Sequence, residues 1–364
     1  MKLTFNTPLN RVSFGQMSIC LLREAFENGD AVSVLPLADQ LDLSSQSSAD
    51  EKFLKWIEGG VKGFPTKHKK DTPTIKVWHL EEKLGFYSIS DNQALFSFYE
   101  LDSPTELEVS AAKHQRHLIV SSRYTKEVFE AKGVDSHYVP LGFDKYNFNV
   151  IDKLYHDDDR IVFNLCGKFE HRKRHAKILQ AWAKKYGNDK RYALQCAIFN
   201  PFMDPKINND LISGALEGLQ YFNISFLPMM QTNDMYNDFL NSAQIVIGMS
   251  GGEGWGLPEF QSVCLGKHSV MLDAHGYQGW ANSENSVLVS PTGKVDATDG
   301  LFFKKGSTTN QGQIFDWDVD DFLSGCDEAI KRVSSNKIND EGLKLQDTFS
   351  YKNTYDGIIK VLEG

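Results

Sequence analysis

Short apolar runs alternate with amphipathic stretches along almost the whole chain, and this alternation limits the fold more than any single motif does. Strand patterns fall at residues 2–5, 31–35, 74–78, 94–98, 118–121 and 138–141. Helical patterns fall between them at 17–26, 51–57, 106–114 and 125–132, the third with a cap at Ser103 or Thr105. A basic loop is expected over 62–70. Strands and helices in this order build β-α-β units around a parallel sheet. The rhythm breaks over 142–159, which is polar, rich in Asp and Asn and without period, and reads as a linker. It restarts with a near-continuous apolar strand at 160–165, as a sheet buried on both faces requires. Strands at 192–199, 224–227, 245–249 and 269–272 follow, with helices at 175–185, 234–241, 259–265, 318–333 and 351–362. The expected organisation is one Rossmann-like domain over 1–150, a second over 151–345, and a terminal helix within 346–364. A length of 364 residues suits two cores rather than one.

Charge and cysteine content narrow the class. A net charge of −9 argues against a generally cationic nucleic-acid binder. The five cysteines are odd in number and none forms a C-x-x-C pair, so they read as packed thiols in a reducing compartment. No run approaches the ~20 apolar residues of a membrane span, and the first residues lack the apolar core of a signal peptide. A soluble, cytoplasmic protein is expected.

Three strand-to-helix loops carry the chemistry. Ser250-Gly-Gly-Glu-Gly-Trp-Gly-Leu-Pro-Glu-Phe-Gln261 follows an apolar strand and opens a helix. Its glycines allow close backbone approach, and a new helix offers free N–H groups that suit a diphosphate. Pro258 fits the first helical turn. Glu253 in that turn cannot bind phosphate and is placed to accept hydrogen bonds from ligand hydroxyls. Gly167-Lys-Phe-Glu-His-Arg-Lys-Arg-His175 also follows a buried strand, where open α/β sheets bind anions. Lys168 and Lys173 are its best phosphate ligands. The third loop, 6–16, has one well-placed glycine, Gly15, and does not match G-x-G-x-x-G, which counts against a dinucleotide cofactor. The acids Asp316, Asp318, Asp320 and Asp321 precede a helix and read as caps and dipole partners rather than a metal site.

These stretches together resemble the retaining GT-B glycosyltransferases of family 4 type. The family hallmark P-S-x-x-E-G-F-G-L-P-x-x-E is similar to Met249–Gln261, and its G-R-x-x-x-x-K-G segment to Gly167-Lys168 through Lys173-Arg174. Val139-Pro-Leu-Gly-Phe-Asp-Lys-Tyr-Asn-Phe148 resembles the interdomain strand, with Ser121-Ser-Arg-Tyr-Thr125 ahead of it. Phe349-Ser-Tyr-Lys-Asn-Thr354 resembles the closing helix that crosses back to the first domain. The likeness runs from about residue 118 onward; before that it is one of layout. It implies two Rossmann-like domains with parallel sheets facing across a cleft, and a nucleotide-sugar donor site on the second domain without a metal. UDP- and GDP-sugars are the first candidates.

By the same resemblance Lys168 and Lys173 hold the diphosphate, and Glu253 contacts the transferred sugar. Gly167, Ser250, Gly254 and the amides at Trp255, Gly256 and Leu257 line the donor. Gln261 stands where the family has a ribose-binding glutamate, and Gly15 lets the first domain's loop reach the donor. The family's histidine of the first domain aligns with Tyr99, followed by Glu100, so either of these is a candidate to touch sugar or acceptor. The departures at 261 and 99 also fit a nucleotide-sugar binder or partner subunit that has lost catalysis. Another GT-B enzyme, such as an epimerase or phosphorylase, is a third reading; a phosphorylase needs a pyridoxal phosphate lysine that is not identifiable. A glycan is the default acceptor. The basic run Lys62, Lys67, His68, Lys69, Lys70 and Lys76 leaves a modified DNA base as an alternative, which a duplex would have to flip out.

Overall fold

The computed structural model describes all residues except 47, 48, 82, 157 and 158, and only the backbone at 38–40. Two of the predicted linker residues, 157 and 158, therefore lie outside the described residues. The first sheet contains β1 (Lys2–Leu9), β2 (Ala31–Leu41), β3 (Thr74–Val77), β4 (Gln93–Ser97), β5 (His117–Val120) and β6 (His137–Tyr138). Its order is β2-β1-β3-β4-β5-β6, parallel throughout. Helices α1 (Ser13–Glu27), α2 (Glu51–Lys67), α3 (Glu106–His114) and α4 (Arg123–Glu130) connect these strands. Thr105 caps α3 in a full capping box with Glu108.

The second sheet contains β7 (Ile161–Cys166), β8 (Tyr192–Ala197), β9 (Ile224–Phe226), β10 (Ile245–Gly248), β11 (His268–Leu272) and β12 (Val287–Val289). Its order is β12-β11-β10-β7-β8-β9, again parallel. Helices α5 (His175–Tyr186), α6 (Pro205–Ala215), α7 (Asn233–Asn241) and α8 (Leu257–Cys264) belong to this half. Strand order reverses between β1 and β3 in the first sheet and between β7 and β10 in the second. In open α/β sheets, such switch points open a crevice at the carboxyl ends of the strands.

A small antiparallel hairpin, β13 (Gly293–Asp296) and β14 (Gln313–Asp316), follows the second sheet. The chain ends in α9 (Val319–Ser335), α10 (Asp340–Leu343), α11 (Leu345–Thr348) and α12 (Tyr351–Glu363). Asp318 caps α9 through the N–H groups of Asp320 and Asp321, and Asp316 pairs with Arg174 and Lys177. Helix α12 returns to the first half. Tyr355 donates to Asp30 at 2.7 Å, Thr354 to the Pro140 carbonyl at 2.9 Å, and Asn92 to the Leu362 carbonyl at 3.0 Å. All five cysteines are buried thiols. Among the described residues no helix is long and apolar enough to cross a membrane.

Three expectations change. Helix α2 runs on to Lys67, through much of the predicted basic loop. Gly60 lies inside this helix because the contact needs it: a Cβ there would sit 3.0 Å from Val34. The basic run does not form one face. Lys62 pairs with Glu58 and Lys70 with Asp91, while Lys76 is buried in β3 and donates to the carbonyls of Leu84 and Tyr87. Lys76 therefore cannot meet a phosphate backbone. Helix α6 is additional. It starts at Asp204-Pro205, and its Ile207 and Leu211 face solvent, so it leaves no buried apolar stripe to read.

Candidate functional site

The two loops at the second switch point are joined to each other. The Gly251 N–H donates to the Arg172 carbonyl at 2.9 Å, and the Arg172 guanidinium donates to the Gly252 carbonyl. Glu253 then lies between two cations, with Lys173 Nζ at 2.5 Å and Arg172 Nη1 at 3.0 Å from its Oε1. All three side chains are less than a tenth exposed. Glu170 completes the cluster, 3.3 Å from Arg172 and 2.9 Å from Lys168. Lys168 is more open and stands between the rings of Phe202 and Phe302.

Burial and pairing divide the carboxyl groups. Burial would raise Glu253, but Lys173 and Arg172 outweigh it and hold the group well below the usual carboxylate range. Glu170 is held low in the same way by Arg172 and Lys168. Glu259, in the first turn of α8, is pushed up to about 7 by burial, with Lys173 opposing and Glu253 reinforcing the shift. Burial also raises Glu100, against the pull of Arg172. The histidines His175 and His275 are depressed by burial, to about 3 and about 4, and stay neutral.

The turn itself is tightly determined. Gly256 occupies the cap position of α8 at φ +83, a left-handed conformation that favours glycine. A Cβ there would lie 2.2 Å from the Tyr277 ring. With Gly256 in that position α8 has no side-chain cap from a preceding residue; Pro258 brings no N–H and the Glu259 N–H bonds its own carboxyl, which leaves the Leu257 N–H for an anion. The Trp255 side chain is not at the surface; its ring packs on Phe260 and Phe349, and its carbonyl accepts from Trp280. The Ser250 carbonyl lies 2.8 Å from His275 Nε2. His275 adopts φ 45 and Arg174 φ 57, so two strained non-glycine residues flank the cluster.

The first half meets this turn directly. A Cβ on Gly252 would lie 2.4 Å from the Glu100 carbonyl, and one on Gly254 3.0 Å from Phe98 Cβ. Ser121 donates to the Gly254 carbonyl at 2.8 Å. Glu100 reaches within 4.0 Å of Arg172. Tyr99 does not join the site. Its hydroxyl donates to Glu108 at 3.3 Å and its ring meets Phe129 edge-on. Successive side chains of an extended segment point to opposite sides. Phe98 and Glu100 face the glycine turn, so Tyr99 faces away, and of the two candidates only Glu100 is at the site.

Gly15 lies in the first turn of α1, where a Cβ would be 2.2 Å from the Asn10 carbonyl; its need for glycine is local. Gln261 is buried and accepts from the Asp144 N–H at 3.4 Å. Leu257 opens α8, and Gly167 follows β7 beside Lys173. Arg172, Glu170, Glu259 and His275 are site residues the sequence did not single out. The first two were within the basic loop, but nothing in their spacing separates them from their neighbours.

Two six-stranded parallel sheets, with the carboxyl ends of β4 and β5 set against the glycine turn after β10, define a two-domain α/β fold of the GT-B type. The chain is similar over its full length to solved GT-B glycosyltransferases. Sucrose-phosphate synthase from Thermosynechococcus elongatus shares 12% identity at a TM-score of 0.68, covering 100% of this chain and 98% of that one. A trehalose-phosphate synthase from Burkholderia xenovorans, solved with glucose-6-phosphate, shares 8% at 0.67, covering 100% and 99%. Anabaena HepE, solved with UDP-glucose, shares 11% at 0.63, covering 100% and 99%. No protein-family model matches the sequence, and no curated protein matches it.

Proposed function

We propose that this protein is a glycosyltransferase that moves a sugar from a nucleotide-sugar donor to a hydroxyl of a saccharide acceptor, with retention of configuration and without a metal. The observation that carries the reading is the Glu253 cluster: a carboxylate held ionised between Lys173 and Arg172, at the open start of α8. Cleaving a glycosyl–phosphate bond builds negative charge on the leaving diphosphate. Lys168, Lys173, Arg172 and the Leu257 N–H are fixed donors for that charge. When a diphosphate takes these cations, Glu253 is released to accept hydrogen bonds from the sugar. Glu100 approaches from the first half, where it can hold a sugar hydroxyl. The family resemblance supports the domain roles, acceptor side over 1–150 and donor side over 151–345, and the retaining, metal-independent chemistry. HepE, solved with UDP-glucose, supports a UDP-sugar as the first donor to try.

Thermal unfolding against UDP-, GDP-, ADP- and CMP-sugars tests the donor site. A bound donor at 100 times its Kd adds about 2.7 kcal/mol. Lys168→Ala is the variant to compare, because Lys168 is the cation least tied into the core. It should weaken the stabilising donor by about tenfold or more. No shift with any donor would refute the reading. A shift without turnover on any saccharide would identify a binder that has lost catalysis.

A further inference from the structure

The first sheet has its own switch point, between β1 and β3, and the loops leaving these strands bring aromatic rings together. Phe14 follows β1; Trp78 and His79 follow β3; Phe98 follows β4. The Phe14 ring lies 4.4 Å from His79 and 5.1 Å from Phe98, both tilted by less than 40°. Phe98 stacks on the buried ring of Phe96 at 5.4 Å, and Trp78 meets His79 edge-on at 5.8 Å. His79 is exposed, and Phe14, Trp78 and Phe98 are half-buried. Phe14 and Phe98 pack on the main core and Trp78 on the second cluster, yet each keeps part of its surface open where the strand order reverses. Phe98 also packs on Gly254, so the row continues into the Glu253 turn.

We propose that Phe14, Trp78, His79 and Phe98 form an aromatic floor that binds the acceptor as a neutral saccharide ring, laid face-on beside the donor site. A pyranose offers an apolar C–H face to such a floor and directs its hydroxyls to the rim. Two acidic side chains stand on this side. Glu81 accepts from Trp78 Nε1 at 2.6 Å, and Glu100 stands at the end of β4. Although the His79 ring reaches solvent, the protein crowded around it depresses the group, with Glu81 opposing and Lys168 reinforcing the shift, so the imidazole adds no positive charge near neutral pH. Two carboxyl groups and a neutral imidazole offer hydrogen-bond partners to hydroxyl groups, with Lys168 the one cation acting on His79 among the described residues. The inference rests on the transferase reading and adds the class and pose of the acceptor.

Saturation-transfer NMR with UDP present, irradiating aromatic protons, tests it with methyl glucosides, methyl galactosides, maltose and cellobiose. The C–H protons of one ring face should receive the transfer. Phe14→Leu, which keeps apolar volume without a ring, and His79→Ala should each weaken that binding by about tenfold. Calorimetric UDP affinity should stay within about twofold. Intact UDP binding with no saccharide contact, or with contact unchanged in both variants, overturns the inference alone. Transfer to a short oligothymidine that displaces the saccharides would also overturn it, in favour of a nucleobase. Absence of UDP binding in the wild type overturns the transferase reading and the inference together.

Discussion

Around Glu253, three cations, Lys168, Arg172 and Lys173, face four carboxyl groups, Glu100, Glu170, Glu253 and Glu259. Burial raises two of these, Glu100 and Glu259, and pushes Glu259 up to about 7, so below that pH Glu259 holds a proton. An arriving diphosphate adds negative charge and raises Glu259 and Glu100 further, so donor binding should take up protons near neutrality. Donor affinity should then fall as pH rises through 7, which calorimetry in buffers of different ionisation enthalpy would show. Stability carries the same sign. Between its unfolded value and about 7, folded Glu259 keeps a proton that the unfolded chain has released, so stability falls as pH rises through that window. Glu259→Gln should remove that slope and stabilise the protein above pH 7 by on the order of 2 kcal/mol, read from denaturant midpoints. Lys168, Lys173 and Glu253 were legible in the sequence because each stands at a fixed step from a glycine turn. Glu259 was not, because its value depends on burial against Lys173, which no spacing records.

The glycine turn after β10 is the element on which the site depends. Gly256→Ala combines a left-handed φ with a Cβ inside the Tyr277 ring, and should cost more than about 2 kcal/mol and abolish donor binding. Gly252→Ala meets the Glu100 carbonyl of the other half instead. It should reduce turnover while each half keeps its own sheet, so circular dichroism and kinetics together distinguish the two variants. Apolar strands and capped helices made the β-α-β order legible, down to the cap on α3. The hairpin β13–β14 was not legible. Three of the four residues of β13, Gly293, Lys294 and Asp296, are exposed, so that strand shows no buried alternation. Tyr99 was misread for a related reason: the sequence marks where a strand ends but not which side its next residue faces.

At the scale of the molecule the two halves are latched at several points. The hairpin reaches across to Asp102, which accepts from Lys294 at 2.9 Å and from the Gln313 N–H at 2.8 Å. Its loop donates the Asn310 N–H to Glu108 at 2.7 Å and accepts from Thr105 at 2.7 Å. Ala297, Phe303 and Ile314 join the cluster around Tyr99, Leu101 and Phe129. On the other side Asn233 donates to Ser45 and Gln16. Asp102→Ala should cost about 1–3 kcal/mol and speed hydrogen exchange at both 97–105 and 310–316. Faster exchange confined to one of these segments would show that the latch does not couple the halves. The C-terminal helix joins first-half and last-made segments most directly, because Asp30 and Tyr355 are 325 residues apart. At a synthesis rate of ~5–20 residues per second, helix α1 leaves the ribosome roughly 16 to 65 s before α12 can cover it. Through that interval the apolar surface of α1 that α12 covers stays open, so the first half must remain unaggregated without its last helix.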